Sequence, residues 1–273
     1  MDIRDLVATP DNELPQELFE LDILDGSPPC SVFSVAGKRD EGWGCEKKFR
    51  EGQKEQRLDD LFFSYIALAK KLKPKVVIAE NVVGLVTGKA RGYVTEILKA
   101  YKEAGYVVQI FRLNAATMGV PQARERIFFI GHRADLDFPK IEMRFNQKQI
   151  LFGEVRSKNG VPIKGETTVR LLSRRIKTDR CVADISMRVR GKCSGFNNSI
   201  LHDDCVACTL VAGGSFFRYT DACSLSKEDF INIQTFPQDY DFGKCSPQYV
   251  CGMSVPPVMM ANIASEVYRQ WFE

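Results

Sequence analysis

Apolar residues recur along this chain in two rhythms, and each predicts a kind of element. Leu58, Leu61, Phe62, Tyr65, Ile66, Leu68, Ala69 and Leu72 share one face of a 3.6-residue period, and Pro74 closes the run. Tyr93, Val94, Ile97, Leu98 and Tyr101 repeat the pattern as far as Gly105, a residue suited to ending a helix. Pro257 opens a last helix carrying Val258, Ile263, Val267 and Trp271. Ser226 and Asp229 have the spacing of a capping box, predicting a short helix that ends near Pro237. Short apolar runs at about 20–25, 76–80, 107–112 and 127–131 read as strands. Their alternation with helices predicts an α/β fold built on a parallel sheet.

Two segments break this rhythm. Residues 31–57 are polar, with Gly37, Gly42, Gly44 and Gly52 among Lys38, Arg39, Lys47, Lys48 and Arg50. A loop of that length beside reactive side chains suits a lid, against the plainer reading of a disordered segment. Residues 140–205 mix short apolar pieces with basic ones. Between Lys140 and Lys192 there are 14 Lys/Arg against 5 Asp/Glu, a local excess suited to a phosphate backbone, although the whole chain carries only +3. A solvated charged surface is the plainer alternative there.

Composition narrows the class. Hydrophobic content of 44% with 27% charged residues is that of a soluble globular protein, and no apolar run approaches membrane-spanning length. Nine cysteines without a secretory signal predict reduced thiols in a cytoplasm rather than a disulfide framework.

Candidate chemistry gathers at the predicted strand ends. Phe19 to Leu24 runs into Asp25-Gly26-Ser27-Pro28-Pro29-Cys30, a turn stiffened by two prolines that would hold one thiol at the carboxyl end of a strand. Cys30 reads either as a small buried apolar side chain or as a nucleophile. Val76-Val77-Ile78-Ala79 is followed by Glu80-Asn81-Val82, placing a carboxylate and an amide at a second strand end. Gln122-Ala123-Arg124-Glu125-Arg126 precedes the strand at 127–131, and Gly252-Met253-Ser254-Val255 opens the last helix.

This ordered set of four motifs resembles the DNA cytosine-5 methyltransferases, over nearly the whole chain except about 140–205. The resemblance implies a Rossmann-like class I methyltransferase sheet with a small target-recognition domain. It implies a catalytic α/β domain over 1–139, the recognition domain over 140–205, and a return to the catalytic domain over 206–273. It also implies S-adenosylmethionine as cofactor and double-stranded DNA as partner, in a restriction-modification or phage-type system. Carried over by motif, Cys30 adds to C6 of cytosine, Glu80 bonds the ring edge at N3, Arg126 holds O2, and Arg124 supports the same pocket. Glu80 could meet N3–H only in a pocket that raises its own proton affinity. Asn81 is expected to fix the turn rather than touch substrate. Asp2, Ile3, Pro29, Leu61, Ser254 and Val255 are the cofactor contacts implied.

The sequence departs from the family's pattern at its start. The strand and glycine-rich turn for the methionine end of the cofactor, and the acidic strand for its ribose, are both missing, and Asp2-Ile3 matches the third motif. The sheet is therefore expected to lack its first strands. Three readings follow: an enzyme whose missing motifs are supplied by a mis-set start or by a separate N-terminal cofactor-binding chain, an inactive truncated DNA-binding relic, or an enzyme acting on RNA. Cys205-Val206-Ala207-Cys208, near His202 and Cys193, offers one weak zinc pattern, and no metal is expected.

Overall fold

The computed structural model describes residues 2–29, 61–87, 91–195 and 198–273. In chain order these form α1 (Ile3–Ala8), β1 (Ile23–Gly26), α2 (Leu61–Leu72), β2 (Val76–Val82), α3 (Arg91–Glu103), β3 (Tyr106–Asn114), β4 (Gln122–Ala123) and β5 (Glu125–Arg133). There follow α4 (Phe152–Val155), α5 (Glu166–Leu172), α6 (Val182–Arg190), β6 (Asn198–Leu201), β7 (Ala207–Cys208) and β8 (Ser215–Arg218). Helices α7 (Lys227–Gln234), α8 (Pro247–Met253) and α9 (Pro257–Trp271) complete the chain. The described residues divide into one unit of 1–113 with 125–141 and another of 114–124 with 142–273. No described helix is long and apolar enough to cross a membrane.

The first unit is built around a sheet of order β1-β2-β5-β3. Val76 to Ala79 are almost wholly enclosed, as befits a strand with neighbours on both edges and apolar layers on both faces. β1 pairs parallel to β2, so the chain must cross over between them, and α2 is part of that crossover. Phe62, Tyr65, Ile66 and Ala69 of α2 pack with Val77, Ala79, Ile127 and Phe129 of the sheet and Ile97 and Tyr101 of α3. Lys73, at φ 52°, turns the chain out of α2 ahead of Pro74, and Gly105, at φ 88°, does the same after α3.

Two expectations are corrected here. The sheet is not all parallel, because β5 runs antiparallel to β2. Between Asn114 and Glu125 the chain has one turn of 3-10 helix, at Ala115–Thr117, and the short β4, too little for a parallel crossover. The first strand is also shorter than its apolar run. Pro15 starts a 3-10 helix over Gln16–Glu20, and extended pairing begins only at Ile23. Helix α2 is described from Leu61, so Leu58 lies outside the described residues.

The second unit is mostly helical, with the parallel pairs β4–β7 and β6–β8. Residues 206–273 pack within it. Phe152, Leu210, Phe216, Phe230, Ile231 and Cys251 form one of its cores, while Leu172, Val182, Ile185, Ile200 and Phe217 form another. Helix α9 buries Met259, Ile263, Val267 and Trp271, one residue per turn along a single stripe.

A fully enclosed ion pair joins these pieces. Nη2 of Arg218, at the end of β8, lies 2.5 Å from Asp229 Oδ2, with both side chains at 0% exposure. The same nitrogen donates to Ser157 Oγ at 2.6 Å. Asp229 accepts in turn from the backbone N–H of Ser226 (2.7 Å) and of Ser157 (2.8 Å), so the expected capping box on α7 is also the seat of the buried charge. Asp229→Ala leaves the enclosed guanidinium with only the partly exposed Asp221, 3.4 Å from its Nη1, as counter-charge, and should lower unfolding free energy by about 3–5 kcal/mol in urea titrations. The double variant Arg218→Met, Asp229→Leu should lose less than Asp229→Ala alone. A double variant at least as unstable as the single one would show that the charge pair is not the source of the cost.

Candidate active site

The parallel register of β1 and β2 sets Gly26 opposite Ala79, so the turn Ser27-Pro28-Pro29 lies beside Glu80 and Asn81. Asn81, 2% exposed, fastens the two: its Nδ2 donates to the Pro28 carbonyl at 3.1 Å, and its Oδ1 accepts from the Val82 N–H at 2.9 Å. This is the turn-fixing role expected of it. Cys30 and the expected lid over 31–57 lie outside the described residues.

Glu80 and Arg126 are brought together by pairing register. In the antiparallel ladder Glu80 faces Phe128 and Val82 faces Arg126. Residues two apart on a strand share a face, so Glu80 and Arg126 are diagonal neighbours on one side of the sheet. Arg126 Nε lies 2.8 Å from Glu80 Oε1, with the two side chains 15% and 13% exposed. Arg126 Nη1 also donates to the Glu125 carbonyl at 2.7 Å. Burial lowers the proton affinity of the guanidinium, and the adjoining carboxylate works against that shift. The pair is thus a largely enclosed carboxylate and cation at the ends of two neighbouring strands.

A cavity of about 240 Å³ opens at the carboxyl end of β1. Ile3, Leu61, Leu68 and Pro29 give it apolar walls, while Asp25 and Ser27 supply polar groups. Three of the six expected cofactor contacts (Ile3, Pro29 and Leu61) line it. Asp2 caps α1 instead, accepting from the Arg4 N–H at 2.9 Å, and hydrogen bonds from Arg4 hold its carboxyl below the usual range. Gly26 is required where it stands, since a Cβ there would sit 2.7 Å from the Tyr65 ring. The Tyr65 hydroxyl lies 2.7 Å from the Leu24 carbonyl and 2.9 Å from that of Ile78, tying β1 to β2 behind the cavity. Asp25, although exposed by area, stands in the concave mouth among protein atoms, which raise its carboxyl above its ordinary value. Asp25 and Tyr65 were not singled out by sequence reasoning; their only signal was adjacency to Gly26 and a place on the apolar stripe.

In the second unit Arg124 is 1% exposed. Its Nη1 donates to the Leu210 carbonyl at 2.9 Å and its Nη2 to the Gly252 carbonyl at 3.0 Å. Alongside runs a chain of buried amides. Gln122 accepts from the Leu210 N–H at 2.9 Å and donates to Gln234 at 2.6 Å, and Gln234 donates to the Ser254 carbonyl at 2.9 Å and lies 3.2 Å from its Oγ. These bonds fix the turn carrying Ser254 and Val255. Gln122 is legible as part of its motif, whereas nothing in the sequence marks Gln234. His202 lies 2.7 Å from the Asp179 carbonyl and stacks on Tyr219, and no group of three metal-ligating side chains occurs among the described residues.

The family model for C-5 cytosine-specific DNA methylases matches residues 1–269. The type II methyltransferase M1.HphI of Haemophilus parahaemolyticus is 27% identical over 287 residues, covering 97% of this chain and 74% of the relative. M.FnuDI of Fusobacterium nucleatum is 37% identical over 132 residues, or 48% of this chain. The chain spans only 35% of M.FnuDI and 29% of M.DdeI of Desulfomicrobium norvegicum. Among solved structures, a prophage-encoded DNA modification methyltransferase of E. coli superposes with TM-score 0.64 at 17% identity, covering 100% of this chain and 86% of that one. The S. pombe Dnmt2 methyltransferase gives 0.59 at 14% identity, covering 98% and 83%. Those likenesses support the Rossmann-like methyltransferase fold.

The clamp on Leu210 and Gly252 yields a stability test. Arg124→Met removes both donors from enclosed carbonyls and should destabilise the chain by about 2–4 kcal/mol, seen as a lower urea midpoint. Arg124→Lys should recover part of that loss, and an Arg124→Met midpoint equal to the wild type's would show the clamp to be idle.

Proposed function

The chain belongs to the C-5 cytosine-specific DNA methylase family, and from that premise we propose that it takes part in methylating C5 of a cytosine in double-stranded DNA. The observation that carries this reading is the strand-end arrangement: Glu80 2.8 Å from Arg126, beside a proline turn tethered by Asn81 and leading directly to Cys30. Inside a duplex C6 is out of reach, so the target base must be flipped out, at a cost of a few kcal/mol in unstacking and unpairing. The Cys30 thiolate then adds to C6, and the electron pair of the C5–C6 double bond moves toward C5. Glu80 meets the ring edge at N3 and Arg126 meets O2, so charge that develops on addition is held by groups already in place. Once C5 has bonded to the methyl group, loss of its proton and departure of the thiolate restore the ring.

The cavity at β1 fits a nucleoside in kind: apolar side chains flank a space of about 240 Å³, with the polar Asp25 and Ser27 at its edge. S-adenosylmethionine, when bound, supplies an electrophilic methyl group for C5. Ile3, Pro29 and Leu61 would hold its adenine, with Asp2 beside them, while Ser254 and Val255 are assigned to it by motif alone. Arg124 serves by fixing backbone rather than by meeting the base. Residues 140–205 are assigned to target recognition because of their basic excess.

A further strand carrying the methionine-end cradle, from a separate chain or from sequence outside residues 1–273, belongs to the same proposal. What supports it is the place of β1 at an edge of the described sheet, where another strand could pair. A restriction-modification setting is proposed on the printed names of the type II relatives.

The test is covalent trapping. The chain, alone and mixed with a candidate N-terminal segment, is incubated with S-adenosylmethionine and duplex DNA carrying 5-fluorocytosine. Fluorine cannot leave as a proton does, so a denaturant-stable adduct should accumulate. Cys30→Ser should abolish it, and Glu80→Gln should slow its formation by about 10²–10³-fold. An adduct that survives Cys30→Ser would assign the nucleophile to another residue.

A further inference from the structure

Helices α5 and α6 enclose a cleft of about 250 Å³ lined by Arg170, Leu171, Arg174, Val189 and Arg190. Its floor is apolar, with Leu171 buried and Val189 half-buried, and its rim is three exposed guanidinium groups. Neighbouring basic groups are already engaged. Arg188 pairs with Asp179 at 2.7 Å and Lys177 with Asp204 at 3.1 Å, while Arg175 donates to the carbonyls of Leu172 and Thr220. Among the described residues no carboxylate comes within ion-pair reach of Arg170, Arg174 or Arg190.

Three like charges around one concavity repel one another, and an anion seated between them would remove that repulsion. Arginine's planar fork matches two oxygens of a phosphate at once, which a surface lysine cannot do. A plainer account places Arg170 and Arg190 at the basic last turns of their helices, where each eases the helix dipole. That account explains each residue singly and does not explain their convergence on one cleft.

We propose that this cleft seats a backbone phosphate of the nucleic acid, as a contact that positions the duplex without reading its bases. The choice of a phosphodiester over a free phosphate rests on the methyltransferase reading; the anion chemistry does not. Phosphate contacts weaken binding alike on every sequence when lost, and each contributes about 0.9 to the slope of log affinity against log salt.

The experiment compares duplex binding by three full-length chains across a salt series, on two duplexes of unrelated sequence. These are the wild type, the variant Arg170→Gln, Arg174→Gln, Arg190→Gln, and a control, Lys70→Gln, Lys99→Gln, Lys102→Gln, that removes equal charge from exposed positions on α2 and α3. The arginine variant should bind about tenfold more weakly at low salt and lose about 1 from the salt slope, equally on both duplexes. The control should stay within about twofold of the wild type. Circular dichroism melts matching the wild type's establish folding, and Arg190→Gln alone, expected to give a partial loss, serves if the triple variant melts early. Inorganic phosphate, titrated at constant ionic strength, identifies the other source: if it displaces the duplex from the wild type and the control but not from the arginine variant, the cleft prefers free phosphate and the proposal fails. An arginine variant indistinguishable from the control sinks the cleft while leaving the methyltransferase reading to the trapping assay. A wild-type chain that binds neither duplex sinks both.

Discussion

The register between β2 and β5 is the constraint on which the strand-end chemistry depends. Side chains on a strand alternate faces, so a slip of one residue would carry Arg126 to the other side of the sheet, away from Glu80. Burial secures the register. Val76 to Ala79 and Ile127 to Ile130 are enclosed together, and misregistering them would put apolar side chains into polar surroundings. On its other edge β5 approaches β3 closely, since a Cβ at Gly131 would lie 2.7 Å from the Val107 carbonyl oxygen. An apolar strand therefore fixes the position of two charged side chains that lie beyond its enclosed part.

The second unit is held by polar contacts as much as by apolar ones. Asp229 caps a helix, neutralises Arg218 and anchors Ser157, so one carboxylate orders segments distant in sequence. Gln122 and Gln234 do similar work near the Ser254 turn, linking β4 to α7 and on to the start of the last helix. Enclosed polar groups of this kind are costly when only half satisfied, so each link requires the next. Local rigidity at Ser254 is thus inherited from bonds that no local pattern reveals.

The helices were legible because their signals are local: the α2 stripe, the α3 stripe ending at Gly105 and the Ser226–Asp229 box all reappear in the structure. The motifs also drew attention to Glu80 and Arg126, which the β2–β5 register brings to one side of the sheet. What could not be read was long-range. The antiparallel direction of β5 depends on how little chain joins it to β3, and apolar alternation carries no strand direction. Pairing partners of enclosed amides, such as Gln122 with Gln234, are separated by 112 residues and leave no trace in either local sequence. The lining of the β1 cavity by Asp25 and Tyr65 arises from a crossover connection, again beyond a local pattern.

The arginines show how the same side chain takes its role from its surroundings. Arg218 is enclosed against the buried carboxylate of Asp229, with the partly exposed Asp221 as a second, longer ion pair, and the enclosed pair is fixed in place. Arg124 is enclosed against carbonyls, which accept its bonds without cancelling its charge, so it stiffens backbone. Arg126 is less enclosed than these two, and its partner is the carboxylate of Glu80 on the neighbouring strand. Arg170, Arg174 and Arg190 are exposed around a cleft, with no carboxylate in reach among the described residues. Desolvation rises from the last group to the first, and freedom to meet an outside anion falls in the same order. A motif that marks an arginine therefore does not say whether it meets a ligand; enclosure and the partner already present decide that.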